Sequence, residues 1–454
     1  MTCRSNKNEV ECMDTIWTKT SKLPAFSPLA QSVRAEVAVI GGGMAGILTA
    51  FFLKRAGKDV IVLEGNRVGS GQTAGTTAKI TISHNLIYEK LFREAGEEKA
   101  RKYVSANKRA LKMYGRLIQE EQIDCDFREC SSYLYSLTDA EQIKREVEAA
   151  VRLGIGAEFT TKTELPFSVM GSICYQKQAA FHPLLFLKAL AEQLVIYEHT
   201  KVTGVEEGKI YTDHGNVLAD AVVFASHYPI MNTPGYYFAR MHQERSYVLA
   251  LKQAQPFEHL YLGVDPGEDF SFRNFREFTL FGGEGHRTGE NETGGQYKKL
   301  ERRAKEYWRD CETIDRWSAQ DCMTLDAIPY IGLYTGKHKK WYVETGFGKW
   351  GMTSSMAAAL MITEQICQKE SRNAVVFSPK RVPIRALKAA AVEGAKSAKG
   401  LAAPGGIRCP HLGCKLTWNP EEETWDCPCH GSRFDKEGNL IDNPAVRNAA
   451  VEGK

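Results

Sequence analysis

Residues 36–64 read EVAVIGGGMAGILTAFFLKRAGKDVIVLE. EVAVI (36–40) is a short β-rich apolar run, and Gly41-Gly42-Gly43-Met44-Ala45-Gly46 forms a G-x-G-x-x-G that opens a helical stretch to about Arg55. A second strand, DVIVLE (59–64), ends on Glu64. Each glycine has a physical job. Gly41 permits the tight turn, Gly43 lets the backbone approach a pyrophosphate, and Gly46 lets the helix lie close on the strand. Glu64, about twenty residues on, is where a carboxylate accepts hydrogen bonds from a ribose. The pattern therefore predicts a Rossmann-like dinucleotide site.

Outward from this unit, strand-like segments recur at 133–137, 221–226, 246–251, 259–263 and 278–282. Helical spacing appears at 86–122, 139–153, 183–194, 295–312 and 352–370. The 86–122 helix rests on Leu86, Leu91, Tyr103, Leu111, Tyr114 and Leu117 with charge between them. Mixed strands and helices without a repeat period imply an α/β architecture carrying an inserted, mainly antiparallel sheet (an α+β substrate domain). The expected division is a discontinuous dinucleotide-binding domain (34–85, 165–230 and 320–372) and a substrate or cap domain (86–164 and 231–319). A linker (373–405) and a small all-β C-terminal module (406–447) follow. Residues 1–32 read as an irregular arm. The Ala-, Lys- and Gly-rich 373–406 reads as a solvated connector, with at most a short basic helix from Ile384.

Composition narrows the function. The 454 residues are 43% hydrophobic and 25% charged with a net charge of +4, ordinary for a globular protein. Lys and Arg are interspersed with Asp and Glu, which argues against a nucleic-acid footprint. No run of about 18 apolar residues predicts a membrane span. The polar N-terminus lacks a secretory core, so the cytosol is the default expectation. Of twelve cysteines, eight are scattered (Cys3, Cys12, Cys125, Cys130, Cys174, Cys311, Cys322 and Cys367) and are expected as buried or free thiols. The other four crowd the last fifty residues.

That cluster reads Cys409-Pro410-His411-Leu412-Gly413-Cys414, then Cys427-Pro428-Cys429-His430-Gly431-Ser432. The spacing C-x-H, fifteen residues, C-x-x-H supplies two thiolates and two imidazoles, the ligand set of a Rieske [2Fe–2S] centre. Cys and His at such spacings also suit zinc. The continuation C-P-C-H-G-S-R-F resembles the Rieske family. The resemblance implies Cys409, His411, Cys427 and His430 as iron ligands and Cys414–Cys429 as a disulfide tying the two loops. It further implies a Ser432 hydroxyl directed at a bridging sulfide. Phe434 stands where high-potential members carry tyrosine, so a mid-range potential is expected. Asn443-Pro444-Ala445 replaces the family's G-P-A loop. Little sequence precedes Cys409, which suggests that the cluster loops lean on the dinucleotide-binding domain.

The remaining motifs resemble the FAD-dependent amine and amino-acid oxidases, the superfamily of D-amino-acid oxidase, glycine oxidase, sarcosine oxidase and dimethylglycine dehydrogenase. The loop Gly69–Thr77, the strand Asp220–Ser226, the segment Thr324–Gly332 and the loop Thr345–Thr353 carry the likeness. It implies FAD held by Gly41, Gly43, Met44, Ala45, Gly46, Glu64, Gly71, Thr73, Ala74, Thr76 and Thr77, with Gly348, Trp350, Gly351, Met352 and Thr353 closing over the ring. A helix starting near Met352 aims its positive end at the charge of a reduced flavin. Lys79 stands where dimethylglycine dehydrogenase relatives attach FAD to histidine, and Cys322 lies too near Asp326 for the sarcosine oxidase attachment; non-covalent FAD is expected.

Candidate catalytic residues are Arg245 and Tyr247, which could hold a carboxylate, and His286 and Lys349, which could face the ring. The implied activity is a dehydrogenase that oxidises a small amine or amino-acid-like substrate. Electrons pass through the cluster to an external one-electron acceptor, a protein or a quinone. A non-catalytic relay or sensor between protein partners is the alternative. A Rieske oxygenase is set aside, because no H-x-x-x-x-H pair occurs among the eleven histidines.

Overall fold

The computed structural model describes residues 14–381 and 387–451; the side chains of 387–389 are not described. Cys3, Cys12 and Ile384 therefore lie outside the described residues.

The first sheet runs in the order Tyr330–Leu333, Trp341–Thr345, Asn216–Phe224, Val33–Ile40, Val60–Leu63, Val195–Tyr197. Its inner strands are parallel, and Val33–Ile40 lies between Asn216–Phe224 and Val60–Leu63. Helix Met44–Arg55 is apolar on almost every side because it is sandwiched between this sheet and helix Gly351–Ile366.

The second sheet has nine strands, nearly all antiparallel: Glu312–Thr324, Met241–Lys252, Phe278–Arg287, Ser271–Phe275, Leu260–Gly263, Arg128–Ser136, Gly171–Ala180 and Lys79–Ile80, with Ala157–Thr160 paired to Gly171–Ala180. Two expected boundaries move as a result. The 171–180 strand, assigned to the dinucleotide part, belongs here. So does Glu312–Thr324, where a helix was expected to reach 312 and a domain boundary to fall at 320. The preceding helix ends at Tyr307. The single helix expected over 86–122 is two, Tyr88–Ala95 and Glu97–Glu120, broken at Gly96 with φ +82°.

The N-terminal arm is not irregular throughout. Helix Ile16–Thr20 is capped by Thr15 and buries Trp17, whose indole N–H donates to the Thr76 carbonyl at 2.7 Å. The arm thus pins the loop expected to hold the cofactor.

The expected linker is also corrected. Leu387–Ala402 is a helix packed on the C-terminal module. A Cβ at Gly400 would stand 2.5 Å from Cys429 Sγ, and Glu393 pairs with the buried Arg287. The module itself is a four-stranded antiparallel meander, Thr417–Asn419, Thr424–Asp426, Arg433–Phe434 and Leu440–Asp442.

Candidate functional site: two joined cavities and a docked cluster module

Gly41, at φ +115°, donates its N–H to the Leu63 carbonyl at 2.9 Å. A Cβ at Gly46 would collide with the Gly41 carbonyl oxygen. Gly43 caps helix Met44–Arg55 with no side chain of its own, and the Met44 amide donates to Thr73 Oγ1 at 3.0 Å. Glu64 accepts from the Gly42 and Asn66 amides at 2.6 and 2.7 Å, while burial raises its pKa.

These elements wall a cavity that contains Gly41, Gly43, Met44, Ala45, Glu64, Gly71, Thr73, Thr76, Gly348, Gly351 and Met352. A second cavity continues past Thr76, Thr77, Trp350, Gly351 and Met352 towards the nine-stranded sheet. Three of the residues expected to bind cofactor stand behind these walls. Gly46 and Ala74 pack in the core, and Thr353 exchanges hydrogen bonds with Thr81. Wall residues such as Asn66, Lys201 and His227 carry no sequence signal, because only the fold brings them to the cavity.

Glu344 also lines the first cavity. It is 1% exposed, Oε2 accepts from Thr49, Oε1 has no partner, and burial pushes the pKa up to about 8. The Cys322 thiol is packed in the core and pushed up by burial. Lys79 Nζ donates to the Tyr261 carbonyl and Ser271 Oγ on the wall of the second cavity, at 2.9 and 2.6 Å.

The four candidate catalytic residues separate. Along strand Met241–Lys252, Arg245 lies off both cavities, while Tyr247 borders the second one. Arg245 is 1% exposed and holds Glu422 of the C-terminal module and Ser318. Burial would raise the Glu422 carboxyl, but Arg245 and Arg433 beside it hold its pKa at about 2. Arg245 therefore anchors the C-terminal module through Nε and Nη2, and its Nη1 is buried without a hydrogen-bond partner, away from both cavities. Tyr247 and His286 are partners of each other: the rings stack, with the hydroxyl 2.9 Å from Nε2. Lys349 lines both cavities, where its Nζ lies 3.8 Å from Glu244 and 3.9 Å from Asp269. Asp321, paired across strands with Glu244, stands where the two cavities meet. Burial pushes its carboxyl up to about 7, opposed by nearby Lys349 and reinforced by Glu244.

In the C-terminal module, the Cys409 and Cys427 thiols face each other, and the His411 and His430 rings lie 5.0 Å apart at 87°. Both histidine Nδ1 atoms are buried without a hydrogen-bond partner. Burial lowers the pKa of His411 to about 4 and of His430 to about 3, so both are neutral and able to ligate. Two thiols and two orphaned imidazole nitrogens in one shell fit a two-iron cluster. The sulfurs of Cys414, Cys427 and Cys429 also cluster, but Cys414 and Cys429 are joined as a disulfide.

The cluster loops are seated on the flavin-bearing part. Arg287 donates to the Pro428 and Cys429 carbonyls, both at 3.0 Å. Gln243 and Gln320 donate to the carbonyls of His430 and Gly431 at 2.9 and 3.0 Å. His411 Nε2 meets Asn232, and the Phe238 ring stands edge-on to both histidines.

A phosphate-cradling parallel sheet, an antiparallel sheet roofing a second cavity, and a Cys₂His₂ shell define a flavin and iron–sulfur oxidoreductase. The chain belongs to the FAD dependent oxidoreductase family, whose model matches residues 36–365, and residues 395–452 match the Rieske [2Fe-2S] domain. The second match begins inside helix Leu387–Ala402, again placing that helix with the module. The chain is 32% identical to YhfW of Bacillus subtilis, described as a Rieske 2Fe-2S iron-sulfur protein, over 96% of this chain and 97% of that one. Its fold is similar to L-proline dehydrogenase from P. horikoshii (TM-score 0.65, 18% identity, 77% of this chain and 98% of that chain). Glycine oxidase from Geobacillus kaustophilus is similar too (0.64, 17%, 77% and 99%). The cofactors are FAD and a Rieske cluster. Among the described residues no helix is long and apolar enough to cross a membrane.

Proposed function

We propose that this oxidoreductase is a dehydrogenase of small amines or amino-acid-like compounds, bound in the second cavity, that hands its electrons to an external one-electron acceptor. The observation that carries the reading is the meeting of the two cavities at Asp321 and Lys349, with Asp321 on the strand whose Gln320 also seats a cluster loop. Bound FAD accepts two electrons with a hydride, and a Rieske cluster carries them one at a time.

The chain's own residues supply cation binding and proton handling. His242 donates a hydrogen bond to Glu244, and Lys349 lies near it; together they hold the Glu244 carboxyl below its ordinary pKa, so it stays ionised and attracts a substrate ammonium. Asp321, opposite, has the higher proton affinity and takes a proton from that ammonium, leaving the neutral amine. Two facing carboxyls of unequal pKa divide the work of holding and deprotonating. The names of the solved structures of like fold, a proline dehydrogenase and a glycine oxidase, support the amino-acid end of the substrate range.

Anaerobic addition of small amines, amino acids and N-methyl amino acids to the holoprotein tests this. At least one should bleach the flavin absorbance and bring up the reduced-cluster EPR signal. Reduction by NAD(P)H or a protein donor, with no response to any amine, would instead make the chain a redox relay.

A further inference from the structure

Asn443 departs from the glycine of the Rieske G-P-A loop, and the fold gives the departure a purpose. Its side-chain amide reaches out of the cluster module and donates to the Ser226 and Tyr228 carbonyls, each at 2.8 Å. Its own carbonyl accepts from Gln243 at 3.0 Å. Ser226 and His227 lie just beyond the parallel strand Asn216–Phe224, on the wall of the cavity that holds Gly41, Gly43 and Glu64. One residue earlier, Asp442 is gripped by Arg433 at 3.0 Å and accepts from Gln72 Nε2 at 3.2 Å. Gln72 opens the short helix Gln72–Gly75 that carries Thr73, and it too lines the cavity.

Between these two attachments the module's tail becomes cavity wall, through Leu440, Ile441, Asp442, Asn443, Ala445 and Val446. The match to the FAD dependent oxidoreductase family ends at residue 365. This wall is therefore supplied from outside the family's matched region.

We propose that the cluster module is a structural part of the FAD site: residues 440–446 close the side of the dinucleotide cavity, and Asn443 is the positioning residue that holds them there. A glycine at 443 has no side chain to make either bond to the flavin-bearing part. Residues 440–446 then loosen from the cavity rim while Arg287, Gln243 and Gln320 still hold the cluster loops, which opens the cofactor to water and lets it leave. Flavin retention and cluster assembly are coupled through this contact, whatever substrate the second cavity takes.

Asn443→Gly restores the residue that the Rieske pattern carries, so the variant is built to keep the module folded, and retention of the Rieske EPR signal checks this. Loss of both hydrogen bonds predicts flavin release faster by roughly tenfold or more. Release is followed by the rise in flavin fluorescence on dilution, without substrate. Wild-type release with an intact EPR signal would overturn the proposal. Iron removal from the wild-type holoprotein by a chelator under reducing conditions provides the second arm. FAD should appear in the filtrate as iron leaves; FAD retained on the iron-free chain would overturn the proposal as well.

Discussion

Arg245 and Asp321 sit on neighbouring strands of one sheet, yet they face opposite ways and do different work. Arg245 was expected to hold a substrate carboxylate, but its Nε and Nη2 are taken by Glu422 and Ser318. Arg245→Met leaves Glu422 buried beside one cation fewer, and removing one partner of a buried pair costs about 3–5 kcal/mol. The variant should therefore melt earlier in thermal denaturation while its substrate KM stays near wild type; a large rise in KM without destabilisation would return Arg245 to the substrate. Asp321 gives the opposite signature. In the proposed mechanism its carboxylate form takes the substrate proton, and burial pushes its pKa up to about 7. Activity should rise as pH passes through that value. Asp321→Asn should flatten this limb and lower kcat/KM by about 100-fold or more, with little change in melting temperature. A pH–rate profile of the two proteins decides it.

At the scale of elements, helix Leu387–Ala402 shows why composition misleads. Ala, Lys and Gly read as a solvated connector, but Gly400 is the close-packing point that lets the helix lie on Cys429, and the Lys415 amide donates to its carbonyl at 3.1 Å. Gly400→Ala should cost about 1–3 kcal/mol from overpacking. It should also speed thiol reduction of the Cys414–Cys429 disulfide, as measured by alkylation of the freed cysteines. The N-terminal arm repeats the lesson. A buried Trp17 donates to the cofactor loop from a segment whose polarity promised no structure.

For the whole molecule, the cluster shell is docked on the sheet that roofs the second cavity, fastened by Arg287, Gln243 and Gln320. The proposed function then predicts that electrons pass between the two prosthetic groups within one chain. In anaerobic stopped-flow reduction, the rate at which the cluster signal appears should not change when protein concentration is raised tenfold. A rate that scales with concentration would mean that the docked arrangement is not the one in use.

The sequence by itself determined what depends on spacing along the chain. Glycine turns and metal-ligand loops are local constraints in which a few backbone positions and side chains must lie within one turn of each other. Hence Gly41–Gly46, Glu64, and the set Cys409, His411, Cys427 and His430 were legible before any fold was known. Tertiary structure alone decided which way each strand faces and what meets across it. That turned Arg245 from substrate ligand to interdomain anchor, brought Asp321 opposite Glu244, and carried residues 440–446 to the wall of the dinucleotide cavity. These contacts join residues tens to hundreds of positions apart, and no local spacing records them. They follow from strand register and alternation, which are fixed only when both sheets bury their apolar faces.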